Sequence, residues 1–307
     1  MKNPLCCKAY FNNRKGELIF FRGHGRGYYL IVFKFRIWPA ERILSDKMYA
    51  YISSIWSYRY FWFSLVQNDL RQRYRGSVLG MGWSLLHPIA MTVILCVVFG
   101  SIFQQDYRFF GPFLLAGMAV WNFLTQSITA GCNSFFMAEA YIRQQPIPMA
   151  IYPLRTVLGL GFHFMIGMGL VIALSLWFLG WPGIAPILSI VPSVLLIFLF
   201  AWSLSCIFGL ATVYFRDTRH LSEVGLQILF YLTPVMYPPS VLEGRRLGIL
   251  LKFNPLSPFL ELIRDPLIYQ KLPSSETFCV AFALTLIAMV VAYSALKASE
   301  KRIIFHL

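Results

Sequence analysis

Few residues in this chain have the type and spacing that chemistry requires. The six cysteines, Cys6, Cys7, Cys96, Cys132, Cys206 and Cys279, include no CxxC pair that could hold zinc or cycle a disulfide. Four of them lie in or at apolar runs, where cysteine serves as a small packing residue. The five histidines are scattered without HExxH or another metal spacing, and neither GxSxG nor GxxxxGK followed by Ser or Thr occurs. Gly23-His24-Gly25-Arg26-Gly27 superficially resembles a phosphate loop, but no strand is expected before it and no Lys-Ser or Lys-Thr follows. The expectation is therefore no catalytic residue, no metal and no cofactor of its own; any ATP would be bound by another polypeptide. What remains is Arg71, Arg73 and Arg75, whose guanidinium groups suit an anion at a membrane surface. Anchoring by positive charge explains them almost as well.

The elements that must position these residues follow from composition. Of 307 residues, 58% are hydrophobic and 13% charged, with 28 Phe, against the roughly 25% charged residues of an ordinary soluble domain. This argues against a water-soluble enzyme, and the wealth of aromatic and branched residues argues against disorder. No Asp, Glu, Lys or Arg occurs from Leu85 to Phe103, from Phe113 to Ala138, or from Thr156 to Phe215. The third stretch is too long for one crossing and is broken by Gly180-Trp181-Pro182-Gly183-Ile184-Ala185-Pro186, so it reads as two helices joined by a turn. Leu221 to Tyr237, carrying Glu223, Gln227 and Pro234, is a weaker fifth candidate, and Phe278 to Leu296 is an ordinary sixth. The expected fold is all-α: a polytopic membrane protein with six transmembrane helices.

Six spans put both termini on one side. With that topology 21 Lys and Arg fall on the terminal side and 6 on the other, or 11 against 6 when the first 47 residues are left out. The positive-inside rule then places the N- and C-termini in the cytoplasm. The net charge of +14 flanks membrane spans, so anionic head groups are the expected partner and nucleic acid is not. Before the first span, Trp62, Val66, Leu70 and Tyr74 recur every four residues between polar positions, which predicts an amphipathic interfacial helix. Residues 1–47 show no clear period and are too charged for a signal peptide. They read as a poorly organised extension before a domain of residues 48–307, and Met48 is a candidate for the true start.

Several loops look functional. Glu139 to Pro148 is a short helix stopped by prolines, suited to docking a soluble partner or serving as a plain connection. Arg216 to His220 reads as an anchor on the same face. The segment from Thr233 to Pro266 has apolar positions at helical spacing cut by prolines, which suggests short helices dipping into the outer leaflet and makes it a candidate gate. Glu223 and Gln227, one turn apart, are expected to face a cavity or another subunit. His163 could relay a proton, but without an acidic neighbour it reads better as a hydrogen-bonded packing residue. The lack of charge in the first four spans argues against ion coupling. Phe99, Phe103, Trp121, Phe230 and Tyr231 are candidates to line a pathway, where their faces would suit sugar rings; membrane-interface belts are the competing explanation.

Motifs now point to a family. Asp69-Leu70-Arg71-x-Arg73-Tyr74-Arg75-Gly76-Ser77-x-Leu79-Gly80-x-x-Trp83-Ser84-Leu85-Leu86-x-Pro88 strongly resembles the entry to the first span in permease subunits of ABC-2 type polysaccharide exporters, which carry O-antigen or teichoic acid. The resemblance continues through Val98 to Phe103, Phe113 to Gly117, Trp121-Asn122-Phe123, Phe215-Arg216-Asp217, Pro234 to Pro238 and Asn254 to Pro258, covering roughly residues 50 to 300. It implies a homodimer joined to two copies of a separate ABC ATPase that carries ATP and Mg. It also implies a coupling helix at Glu139, Tyr141, Ile142 and Arg143, and extracytoplasmic gate helices between the fifth and sixth spans with Pro234, Tyr237, Asn254, Pro255 and Pro258. Channel aromatics would be Phe99, Phe103, Phe230 and Tyr231.

The expected function is then export of a lipid-linked polysaccharide across the cytoplasmic (inner) membrane, with Arg71, Arg73 and Arg75 drawing in the lipid pyrophosphate. Two alternatives stay open. One is an ABC-2 exporter of a drug or small lipid. The other is a polyprenyl-phosphate glycosyltransferase, for which Glu243, Glu261 and Asp265 lie on the wrong face.

Overall fold

The computed structural model describes residues 8–12, 17–24, 27–34, 48–76, 80–144, 147–238, 254–300 and 302–307, with side chains from Tyr51 onward except those of Ile52, Met81, Ser84, Leu85, His87 and Phe103. Residues 239–253, the middle of the expected gate segment, lie outside this description, as does the side chain of Phe103. The chain divides into two units, Met1–Trp56 and Ser57–Leu307.

In the first unit, strands β1 (Lys8–Asn12), β2 (Glu17–His24) and β3 (Gly27–Lys34) form an antiparallel sheet in that order. The extension therefore carries regular structure that its sequence period did not announce. The pairing of His24 with Gly27 closes a two-residue hairpin connection. This corrects the reading of the glycine-rich stretch: a strand does precede it, but the chain turns back into β3 instead of opening a helix over a phosphate. Helix α1 (Met48–Ser57) follows.

From Ser57 onward the described residues contain helices and no strand, as expected of the all-α domain. The order is α2 (Arg59–Tyr74), α3 (Trp83–Phe103), α4 (Tyr107–Cys132), α5 (Glu139–Gln144), α6 (Ile151–Leu179), α7 (Ile184–Tyr214), α8 (Thr218–Leu232), α9 (Ser257–Leu267) and α10 (Ser275–Ser299). Four of these, α4, α6, α7 and α10, are long and apolar enough to cross a membrane. The break between α6 and α7 falls at Gly180 and Gly183, whose φ of 85° and 97° only glycine adopts without strain. Helix α4 starts at Asp106, whose carboxylate accepts from Arg108 N at 3.0 Å. Helix α10 starts at Ser274, whose hydroxyl accepts from Thr277 N at 3.0 Å.

Helix α4 is the centre of the bundle, with α3, α6, α7, α8 and α9 all packed on it. Lipid tails are as apolar as leucine, so helices in a membrane associate through close packing and not through escape from water. The α4–α7 crossing shows this: a Cβ on Gly131 would fall 2.8 Å from Ser205 Cα, and one on Gly209 would fall 2.6 Å from Gly131 O. Flat aromatic stacks fill the remaining space, with Phe123 on Phe164 at 4.6 Å and Phe200 on Phe259 at 4.3 Å.

Candidate functional site

Helix α2 turns a mixed face toward α6. Of the four-residue stripe, Val66 is buried and Trp62, Leu70 and Tyr74 are part-buried; Leu65, outside the stripe, is buried as well. Two polar pairs join them. Arg155 of α6 grips Asp69 with Nε and Nη2, one on each carboxylate oxygen. About two turns further along α6, His163 Nδ1 lies 2.9 Å from Tyr74 Oη. The histidine is a hydrogen-bonded residue, in keeping with the sequence reading, and its partner sits at the C-terminal end of α2.

Beyond Tyr74 opens a cavity of about 360 Å³ between α2, α3, α4 and α6. Arg73 stands on its lining with Tyr74, Trp83, Asn122, Gln126 and His163, while Leu115, Phe123 and Phe164 contribute apolar walls. All three predicted arginines are exposed; Arg73 lines the cavity, and Arg71 and Arg75 do not.

Helix α5 is where the docking element was expected. Ile142 is buried and holds it in place, while Arg143 bonds Glu139 at 2.9 Å across one exposed turn. Tyr141 meets the ring of Phe61 on α2 edge-on, with centroids 6.0 Å apart. Helix α5 also packs on the 3-10 turn Ile303–Phe305 near the C-terminus.

A second polar centre joins α4, α9 and the segment after α8. Arg264 is buried and donates to three backbone carbonyls: Pro234 O at 2.5 Å, Val235 O at 2.6 Å and Phe113 O at 3.3 Å. Its guanidinium carbon also lies 3.6 Å from the centroid of the Phe113 ring. No carboxylate among the described residues pairs with it; Asp265 pairs with Lys271 instead, at 3.3 Å. Burial pulls the guanidinium down to about 9, which leaves it charged at neutral pH. A Cβ on Gly117 would collide with that guanidinium and come within 2.8 Å of Val235 O. Asn254 ties down the same segment, donating to Thr233 Oγ1 at 2.8 Å and Leu232 O at 3.2 Å and accepting from Leu256 N at 2.9 Å.

The predicted gate residues separate around this centre. Pro234 and Asn254 are buried in it, Tyr237 donates to Tyr231 O at 3.1 Å, Pro258 opens α9 and Pro255 is exposed. Among the aromatics, Phe230 packs against buried Trp121 at 5.3 Å and Phe99 packs on the core, while Tyr231 is exposed. Glu223 and Gln227 are exposed, and Glu223 pairs with Arg219 at 3.3 Å.

Sequence reasoning missed Asp69–Arg155, the Tyr74 partner of His163, and Arg264. Partners 86 and 89 residues apart leave no local trace. Arg264 left one, since it shares the apolar face of α9 with Phe259, Leu260, Ile263 and Leu267.

The family model of the ABC-2 type transporter matches residues 60–268, from the start of α2 to the end of α9. An O-antigen export system permease protein RfbA from Myxococcus xanthus is 26% identical over 253 residues, covering 82% of this chain and 95% of that protein. A protein of the same name from Klebsiella pneumoniae is 27% identical over 205 residues, covering 66% of this chain and 77% of that one.

Proposed function

We propose, from the premise that this chain belongs to the ABC-2 type transporter family, that it is the permease subunit of an exporter of lipid-linked polysaccharide, of O-antigen, capsule or teichoic-acid type. A multi-pass membrane protein of this family moves a substrate and is not the catalytic subunit. In the proposal it has no cofactor of its own. Two copies form a homodimer in the inner membrane, and two copies of an ABC ATPase bind ATP and Mg and supply the energy.

Six spans are completed by α3 and α8. The 21 residues of α3 reach about 32 Å at 1.5 Å per residue, enough for a hydrocarbon core of about 30 Å. The 15 residues of α8 reach about 23 Å and need the segment through Pro238 to finish the crossing. Both termini face the cytoplasm, as does α5. The lipid pyrophosphate is drawn to Arg73, with Arg71 and Arg75 adding to the positive field. Phe99, Phe103, Phe230 and Tyr231 border the path of the sugar chain, and the segment pinned by Arg264 and Asn254 serves as the outer gate.

The observation that carries the reading is the chain of contacts around α2. Helix α5 touches α2 through Tyr141 and Phe61, and α2 is fastened to α6 by two polar pairs beside a cavity that Arg73 lines. An ATPase pressing on α5 therefore moves the helix that carries the anion-binding arginine. ATP shifts the protein between two packings by binding one better than the other. Deleting the chain from its host should leave finished lipid-linked polymer inside the cell and none at the surface; undiminished surface polymer would overturn the proposal. Arg73→Ala combined with Arg75→Ala should lower export with membrane insertion intact, and unchanged export would remove the pyrophosphate assignment.

A further inference from the structure

We propose that the cavity beside Arg73 is a sugar subsite that takes the first ring of the glycan, the ring joined to the lipid pyrophosphate; this rests on the pyrophosphate reading of Arg73. Asn122, part-buried, and Gln126, exposed, stand one turn apart on α4, so both line the cavity from one face. Neither side chain makes a hydrogen bond among the described residues. Gln126 lies about 9 Å, and Asn122 about 15 Å, along α4 from its end at Cys132, within the span of a membrane helix. Polar groups at such depth are costly without partners and mark substrate paths.

The lining selects the partner's chemistry. Two amides offer donors and acceptors together, which matches adjacent hydroxyls on a sugar ring and suits neither a hydrocarbon tail nor a bare ion. Among the described residues the cavity lining holds no carboxylate, so a cation finds no counter-charge from them. Trp83, 55% exposed at the start of α3, gives a flat aromatic surface for the apolar face of a ring. At about 360 Å³ the space is near the small end of ligand pockets, about 300–1,000 Å³, which fits a single ring and excludes a folded polymer. The anchor Arg73 and the amides share the cavity, so a phosphate and the sugar attached to it can be held at once.

The test uses the full chain in phosphatidylcholine nanodiscs and two probes: a short prenyl pyrophosphate, and the same lipid carrying one hexose. The wild type should bind the hexose-bearing probe roughly tenfold more tightly, as a shared pair of hydrogen bonds predicts. Gln126→Leu or Asn122→Leu should erase most of that difference while leaving affinity for the sugar-free probe unchanged, which also shows the variants folded. Arg73→Gln should weaken both probes. Equal binding of the two probes by the wild type, or a preference that survives both leucine variants, overturns the sugar subsite and leaves the Arg73 reading standing. Binding of neither probe overturns the Arg73 reading and the subsite with it. Displacement of the hexose-bearing probe by phosphatidylglycerol at matching concentration would show a general headgroup site and overturn the proposal too.

Discussion

The two polar centres of this protein are built by opposite rules. Around Arg264 a charged side chain is buried and gives its Nη1 and Nη2 donors to backbone carbonyls of two segments, Pro234–Val235 and Phe113 of α4. Between α2 and α6, side chains bond side chains, and Asp69 keeps 37% of its side-chain surface exposed. A buried charge bonded to backbone makes a neighbouring segment costly to move, because movement strands carbonyls in an apolar interior. A half-exposed pair of side chains can part and be satisfied by water, so α2 is the helix able to move. The comparison assigns the tighter joint to α9 and the looser one to α2.

The largest effect should come from Arg264. Arg264→Met keeps the bulk and removes the donors to Pro234, Val235 and Phe113, and each buried carbonyl left without a donor costs about 1–3 kcal/mol. Unfolding of the detergent-solubilised protein should shift accordingly, and an unshifted transition would break the contrast. Arg264→Lys should recover little, since one ammonium cannot reproduce a planar fork that serves three carbonyls and stacks on a ring.

Next comes a pair of glycines. Gly117→Ala drives a methyl into the guanidinium and Val235 O, an overpacking cost of about 1–3 kcal/mol. Gly167 lines the cavity, and its added Cβ would meet only Ala119 Cβ at 4.0 Å, so Gly167→Ala should fold as the parent does. Thermal unfolding of the two variants side by side reads the difference. Equal losses would mean that the two centres are equally rigid.

How much of this the sequence revealed depends on the range of the physics. A chain in lipid must hide its backbone in helices, and that demand wrote the uncharged runs of α3, α4, α6 and α7 and the glycine-proline break at Gly180 into the local sequence. The short helix at Glu139 and the apolar stripe of α2 were equally local. Contacts between distant elements were not. Asp69 entered the sequence reading as the head of the family motif alone, and its partner Arg155 as one of the positive charges that orient the protein. Arg264 entered the same charge count, because counting treats every arginine as solvated. Its place on the apolar face of α9 contradicted that assumption and was the available signal. The hairpin before α1 escaped because its residues were tested for a phosphate loop and not for a turn between strands.

A double-mutant cycle on Asp69→Asn and Arg155→Gln sharpens the contrast. The pair is bidentate but partly exposed, so its coupling energy should be about 1 kcal/mol, well below the Arg264 effect. Export should fall further than this modest loss of stability explains, because a loosened α2 no longer carries motion from α5 to the cavity. Wild-type export in a variant that lacks the pair would remove α2 from the coupling path.

The smallest change is Tyr74→Phe. It deletes one hydroxyl and keeps the ring, whose edge-on contact with His163 at 5.7 Å survives. A single hydrogen bond contributes about 0.5–1.5 kcal/mol, and the half-buried imidazole can turn toward the cavity and find water, so the lower end of that range is expected. Global unfolding should therefore barely move. Local opening should move more, because Tyr74 is the last residue of α2 and its bond is what holds that end to α6. Trypsin cutting at Arg71, Arg73 or Arg75 in nanodiscs reports this opening directly. Faster cleavage there with an unchanged unfolding midpoint identifies the Tyr74 end as the part that releases first. If cleavage stays at the wild-type rate, Asp69–Arg155 alone fastens the helix, and release must begin nearer Phe61.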